Sequence, residues 1–160
     1  MQPNGKQGIK TTINILMPSM NHYLDILEET GNSLMIYKHS ELIFESELKG
    51  IRPHLRAIEE LGGNLEGTLM VDKILGRAAA FLVVYSKAAE AMAIVVSTPG
   101  RRVLEDHSLK FSYREEVPHI KLENGVIYCP FERMVQGIDD PDEAYRAIVE
   151  KMSSFEDSSS

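Results

Sequence analysis

Apolar positions along the chain change their period several times, and each change marks an element. Met20, Tyr23, Leu24 and Leu27 recur at helical spacing behind Ser19, a side chain suited to capping, and stop at Gly31. Ser33 to Lys38 and Leu42 to Ser46 are extended runs separated by Lys38-His39-Ser40-Glu41, which predicts a hairpin. Gly50-Ile51-Arg52-Pro53 leads into Leu55, Ile58 and Leu61 and ends at Gly62-Gly63, with proline in the first turn of a helix and glycine at its exit. Thr68 to Val71 reads as a short buried strand, and Asp72 as the cap of a helix through Ile74, Leu75, Ala78, Ala79 and Leu82. Because Phe81 to Val84 is apolar all round, that helix is expected to be covered on several sides.

Ala91 to Val96 is an almost continuous apolar run with β-branched residues, the pattern of a central strand buried on both faces. Ser97-Thr98-Pro99 then starts a helix to about His107, and Lys110 to Tyr113 alternates as a strand. Pro118 to Leu122, the turn Glu123-Asn124-Gly125 and Val126 to Tyr128 suit a small hairpin, since Asn-Gly supplies positive φ angles. Cys129-Pro130-Phe131-Glu132 and Asp140-Pro141-Asp142-Glu143 each open a terminal helix with an acid in the first turn, where its charge meets free N–H groups. This order predicts the α/β class: a three-layer α/β/α sandwich around a mixed sheet of about five strands, begun by an antiparallel hairpin. Residues 1–18 show no sustained period and are expected to be a mobile leader; 19–152 form the single domain and 153–160 a disordered polar tail.

Composition narrows the class. The chain has 160 residues, 43% hydrophobic and 26% charged, the proportions of a soluble globular domain. Its one cysteine excludes an intramolecular disulfide, and with no signal-like segment the expected compartment is the cytoplasm. Ala78 to Tyr85 falls far short of the ~20 residues of a membrane span, so no membrane partner is expected. Net charge is −7, most of it in residues 139–160, which leaves a near-neutral body without the clustered basic face that nucleic-acid binding calls for.

The chemistry available is limited. The turns Gly50 to Pro53 and Asp72 to Gly76 lie at strand-to-helix junctions, where α/β proteins keep their ligands, and Arg52, Lys73 and Arg77 beside them favour an anion at a helix start. Alternatively, Gly50 and Gly76 serve packing and the bases are solvated. Neither turn is a phosphate loop, since G-x-x-x-x-G-K-[ST] and G-x-G-x-x-G are both absent. Cys129 precedes a helix start that would favour its thiolate, with His54, His107 and His119 as available bases; the opposing reading is a small buried hydrophobe. No metal site is expected: C-x-x-C and H-E-x-x-H are absent, and the one H-x-E, His39-Ser40-Glu41, sits in the hairpin turn without a cysteine pair.

Gly50-Ile51-Arg52-Pro53, then Asp72-Lys73-Ile74-Leu75-Gly76-Arg77-Ala78-Ala79-Ala80, then Val117-Pro118-His119-Ile120 and Cys129-Pro130-Phe131-Glu132 resemble, in that order, an uncharacterised domain-of-unknown-function family of small bacterial and archaeal proteins. The resemblance spans about residues 20 to 151 and implies a cytidine-deaminase-like fold. Zinc deaminases carry H-x-E and P-C-x-x-C at the starts of their second and third helices. Here those places hold Gly50-Ile51-Arg52-Pro53 and Val71-Asp72-Lys73-Ile74-Leu75-Gly76, without a zinc ligand, so hydrolytic deamination is not expected.

Three functions remain open. The first is a zinc-free binding protein for a small anionic or nucleotide-like metabolite, with Gly50, Arg52, Asp72, Lys73, Gly76, Arg77 and Glu132 around the ligand and no cofactor. The second is an enzyme of another class using Cys129 as a thiol nucleophile. The third is a structural or regulatory homo-oligomer. The organisation itself is testable: deleting residues 1–18 should leave the melting temperature unchanged, whereas a fall of about 3 °C, the scale of 1 kcal/mol in a domain this size, would show that the leader docks on the fold.

Overall fold

Positive φ angles at His39 (52°) and Ser40 (67°) turn the chain in two residues, the primed turn that suits a tight hairpin. The turn sets Lys38 opposite Glu41 and Leu34 opposite Ser46. The computed structural model describes residues 19–121 and 129–159. Helix α1 (Met20–Thr30) precedes β1 (Leu34–Lys38) and β2 (Glu41–Ser46). Helix α2 (Arg52–Leu61) runs into a short 3-10 turn (Gly62–Leu65), followed by β3 (Leu69–Leu75), α3 (Arg77–Tyr85), β4 (Glu90–Ser97), α4 (Thr98–Asp106) and β5 (Lys110–Val117). Helices α5 (Pro130–Met134) and α6 (Pro141–Ser159) complete the chain.

Among the described residues the sheet has five strands, in the order β2-β1-β3-β4-β5. Strand β1 is antiparallel to both neighbours, while β3, β4 and β5 are parallel, as helical crossovers require. On one face α1 buries Leu24 and Leu27 against Met35, Val71 and Met92. On the other, Leu34, Ile36, Met70, Ala91 and Ala93 pack against a larger core that includes Ala57, Phe81 and Leu104. The protein is therefore a three-layer α/β fold with helices on both faces of a mixed sheet. No helix among the described residues is long and apolar enough to cross a membrane.

Caps and periods place most elements where the pattern puts them. Ser19 accepts from the His22 N–H (3.3 Å), Gly31 closes α1 at φ 74°, and Ser97 accepts from the Gly100 N–H (3.0 Å). Helix α3 buries every residue from Ala78 to Val83, because it lies over the sheet and also packs against α4 and α6.

Five expectations differ from the structure or fall outside it. Asp72 does not cap a helix: β3 continues through Leu75, since Ile74 and Leu75 pair with Val95 and Val96, and α3 begins only after Gly76. Strand β5 runs on to Val117, whose partner is Ser97. The segment expected as a polar tail is helical through Ser159, with the Phe155 ring edge-on to Phe131 at 5.7 Å. The leader at 1–18 and most of the hairpin after Pro118, residues 122–128, lie outside the described residues.

Close approach decides one glycine. A Cβ on Gly100 would stand 2.7 Å from the Leu75 carbonyl oxygen and 2.9 Å from the Gly76 backbone, neither of which can swing away. Gly100→Ala should therefore cost about 1–3 kcal/mol in urea denaturation, the scale of overpacking. Gly63→Ala meets nothing within 4 Å and should stay near wild type; equal behaviour of the two variants would contradict the packing of α4 on the end of β3.

Candidate functional site

Three places collect the chemistry, and the starts of α2 and α3 fall into different ones. At the start of α3 no side chain of its own caps the helix: Gly76 holds the N-cap position in an extended conformation. The cap comes from Glu132 in α5, whose Oε1 accepts from the Arg77 N–H (2.8 Å) and Oε2 from the Ala78 N–H (2.7 Å). Gly76 is required here, since a Cβ at that position would lie 2.5 Å from Glu132 Oε1. The anion position that Gly76 and Arg77 suggest is thus filled from within the chain. Arg77 is committed as well: Nε donates to the Val135 carbonyl (2.8 Å), Nη2 to that of Ile138 (2.5 Å), and the guanidinium lies 4.9 Å from the centre of the Phe81 ring. What remains open beside Arg77 and Glu132 is a cavity of about 40 Å³ that Pro99 and His119 also line.

The second place is buried. His54, in the first turn of α2 and 2% exposed, shares its Nε2 with Asp72 Oδ2 at 2.7 Å, while Asp72 Oδ1 accepts from the Ile74 N–H at 3.3 Å. The other ring nitrogen, Nδ1, is buried and has no hydrogen-bond partner among the described residues. Asp72 is 7% exposed and faces His54, not a ligand cavity. His54 escapes a search for anion-binding residues. Its helical register with Ala57, Ile58 and Leu61 marks a buried face, and that is the signal for it in the sequence.

The third place is open. A groove of about 810 Å³ separates α2 from α6, walled on one side by Arg52, Leu55, Arg56 and Glu59 and on the other by Tyr145, Val149, Met152 and Glu156. Helix α6 runs antiparallel to α3: its Tyr145 stacks on Tyr85 at the end of α3 (4.0 Å, 9°), and its Phe155 meets Phe131 beside Glu132 at the start of α3. Strands β2 and β3 are each antiparallel to β1, so the chain enters α2 and α3 from the same end of the sheet. Arg52 and Glu156 therefore share one end of the groove, and Glu59 and Tyr145 the other. Arg56 pairs with Glu60 (3.7 Å), whereas Arg52, Glu59 and Glu156 have no hydrogen-bond or ion-pair partner among the described residues. Ile51, the N-cap of α2, offers no side chain to the free N–H groups there.

The residues expected around one ligand are dispersed. Arg52 lines the groove, Arg77 and Glu132 line the small cavity, Asp72 is buried on His54, and Lys73 is exposed and lines neither opening. Gly50 turns the chain into α2 at φ 70°, with nothing within 4 Å of where a Cβ would stand. Cys129 is the N-cap of α5, half-buried against the core, and its sulfur has no hydrogen-bond partner among the described residues. Nor do the residues fit zinc. Gly50 to Pro53 and Gly76 bring no donor, His54 is committed to Asp72, and no three His, Cys, Asp or Glu side chains converge among the described residues.

Burial raises the Glu132 carboxyl above its usual value, against the Ala78 and Arg77 N–H groups and the Arg77 charge, which pull it down. The folded state then holds this proton more tightly than the unfolded chain. The associated stability is complete below the ordinary glutamate value and is lost as the pH rises through the raised one. In urea denaturation across that range, wild type should lose stability relative to Glu132→Gln as the pH rises; a constant difference would contradict the burial of this carboxyl.

The family model for a domain of unknown function, DUF1893 (TM1506), matches residues 22–152. A solved DUF1893 family protein from Thermotoga maritima (TM1506) is 35% identical over 80% of this chain and 86% of its own, with a TM-score of 0.74. One form of Acinetobacter baumannii RibD shares 14% identity over 52% of this chain and 28% of its own, with a TM-score of 0.44. No functionally curated protein matches the sequence. The chain belongs to the DUF1893 family.

Proposed function

We propose that this chain is a binding protein that holds a small molecule in the groove between α2 and α6, through an anionic group on Arg52. The observation that carries the reading is Arg52 itself: a guanidinium in the first turn of α2, unpaired among the described residues, on the wall of an open groove. The uncapped N–H groups of that turn favour the same sign of charge. A groove of about 810 Å³ is of the size that small-molecule sites occupy, and Leu55, Val149 and Met152 give it an apolar lining. This moves the ligand away from the start of α3, where Glu132 already supplies the anion.

Binding without a resident zinc, on a fold kept as cytidine-deaminase-like, rests on Gly50 to Pro53 and Val71 to Gly76 standing where zinc deaminases carry H-x-E and P-C-x-x-C. A thiol enzyme built on Cys129 is less well supported, because a nucleophile needs a base within hydrogen-bond reach of its sulfur. The single cysteine suits a reducing compartment such as the cytoplasm.

Native mass spectrometry of the protein as purified from cells should show a small-molecule adduct. Arg52→Ala should weaken its retention about ten- to hundredfold, the worth of a hydrogen-bonded charge. An adduct retained equally by the variant, or no adduct in either protein, would overturn the reading.

A further inference from the structure

A simple anion is a poor guest for this groove taken whole. Once Arg56 and Glu60 have paired, the charges left on its walls are Arg52 against Glu59 and Glu156. Arg52 and Glu156 share one end, on opposite walls, and neither has a hydrogen-bond or ion-pair partner, each other included, among the described residues. Any anion on Arg52 is thus delivered beside an uncompensated carboxylate. The two helix ends repeat the pattern, since the N-terminal turn of α2 is the positive end of its dipole and Glu156 lies near the negative end of α6.

We propose that the ligand is a compact zwitterion of the α-amino-acid type. Its carboxylate lies on Arg52, its ammonium spans the groove to Glu156, and its apolar side chain lies on Leu55 and Met152. This rests on the reading that Arg52 anchors the ligand, and it adds the cationic half. The ammonium converts Glu156 from a repulsive neighbour into a second contact, and both charges of the guest are matched with no change in the fold. A second copy of the chain is a worse occupant. A two-fold contact would set the same concave trough against itself and leave both unfilled, whereas a trough takes a convex guest.

Isothermal titration with L-leucine, 4-methylpentanoate, which lacks the ammonium, and 3-methylbutylamine, which lacks the carboxylate, separates the two claims. Leucine should bind about tenfold more tightly than either control. Glu156→Gln should bring leucine and 4-methylpentanoate to the same level, weakening leucine and tightening 4-methylpentanoate as the repelling charge is removed, while Arg52→Ala should weaken both about ten- to hundredfold. Circular dichroism melts confirm that each variant is folded. If 4-methylpentanoate binds through Arg52 as tightly as leucine does, the anion reading stands and the zwitterion is overturned. If none of the three probes binds, the amino-acid zwitterion is overturned, and the anion reading stands or falls separately on the co-purified adduct; self-association by ultracentrifugation that Arg52→Ala abolishes would identify a second copy as the occupant and overturn both.

Discussion

The carboxylate of Glu132 on the first turn of α3 is the interaction on which the arrangement of the second half of the chain depends. It joins segments 54 and 55 residues apart, and it satisfies two N–H groups that Gly76 cannot cap. Arg77 completes the attachment in the opposite direction. Its backbone N–H goes to α5 and its guanidinium to the Val135 and Ile138 carbonyls beyond that helix. Because these bonds hold α5 and the turn after it, α6 is delivered onto α3 in a fixed direction, and Tyr145 can stack on Tyr85. The groove beside α2 is a consequence of that placement.

The same bonds settle where chemistry is absent. A helix start between two sheet crossovers is the ordinary position for an anion, yet here an internal acid holds it at the cost of keeping a carboxyl buried. At the start of α2 the interior is closed differently, by His54 and Asp72, which tie the helix to β3, the middle strand of the sheet. Removing either partner would strand a polar group in the core, so this pair favours one packing of α2 over its alternatives. Both interior positions are thus occupied by the chain's own side chains. Among the described residues, the groove is a large opening that carries unpaired charge.

Much of this fold is legible in the sequence because local physics decides it. Ser19, Gly31, Gly62 and Ser97 each end or begin a helix by their own backbone or side-chain chemistry, and the apolar run from Ala91 to Val96 has few states besides a central strand. The reading fails at Asp72 for a definable reason. An acid before an apolar segment looks like a cap, but the partner that takes it is a histidine eighteen residues away, and the cap that α3 needs comes from Glu132 much further along. Long-range pairing of this kind leaves no local trace. The tail is a similar case: its serines are polar enough to read as disordered, and only Phe155 hints that a ring of α5 awaits it. For the site, Arg52 could be found from the helix start, whereas Glu156 could not, since it becomes a neighbour only once α6 has folded back antiparallel to α3.

That order of dependence bears on what the groove can recognise. Arg52 is fixed by α2, which the His54–Asp72 pair holds to the sheet, and Glu156 is fixed by α6, which Glu132 and Arg77 hold to α3. Two independent anchorages thus set opposite charges on facing walls at a separation that the protein itself does not close. Closing it with side chains alone would join two exposed groups, a contact worth little in water and opposed by side-chain entropy. On the proposed reading, a guest carrying both charges would meet both walls and replace water from the apolar floor between them. Preorganisation of that kind lowers the ordering cost of binding, and it follows from the two interior anchors rather than from any feature of the groove itself.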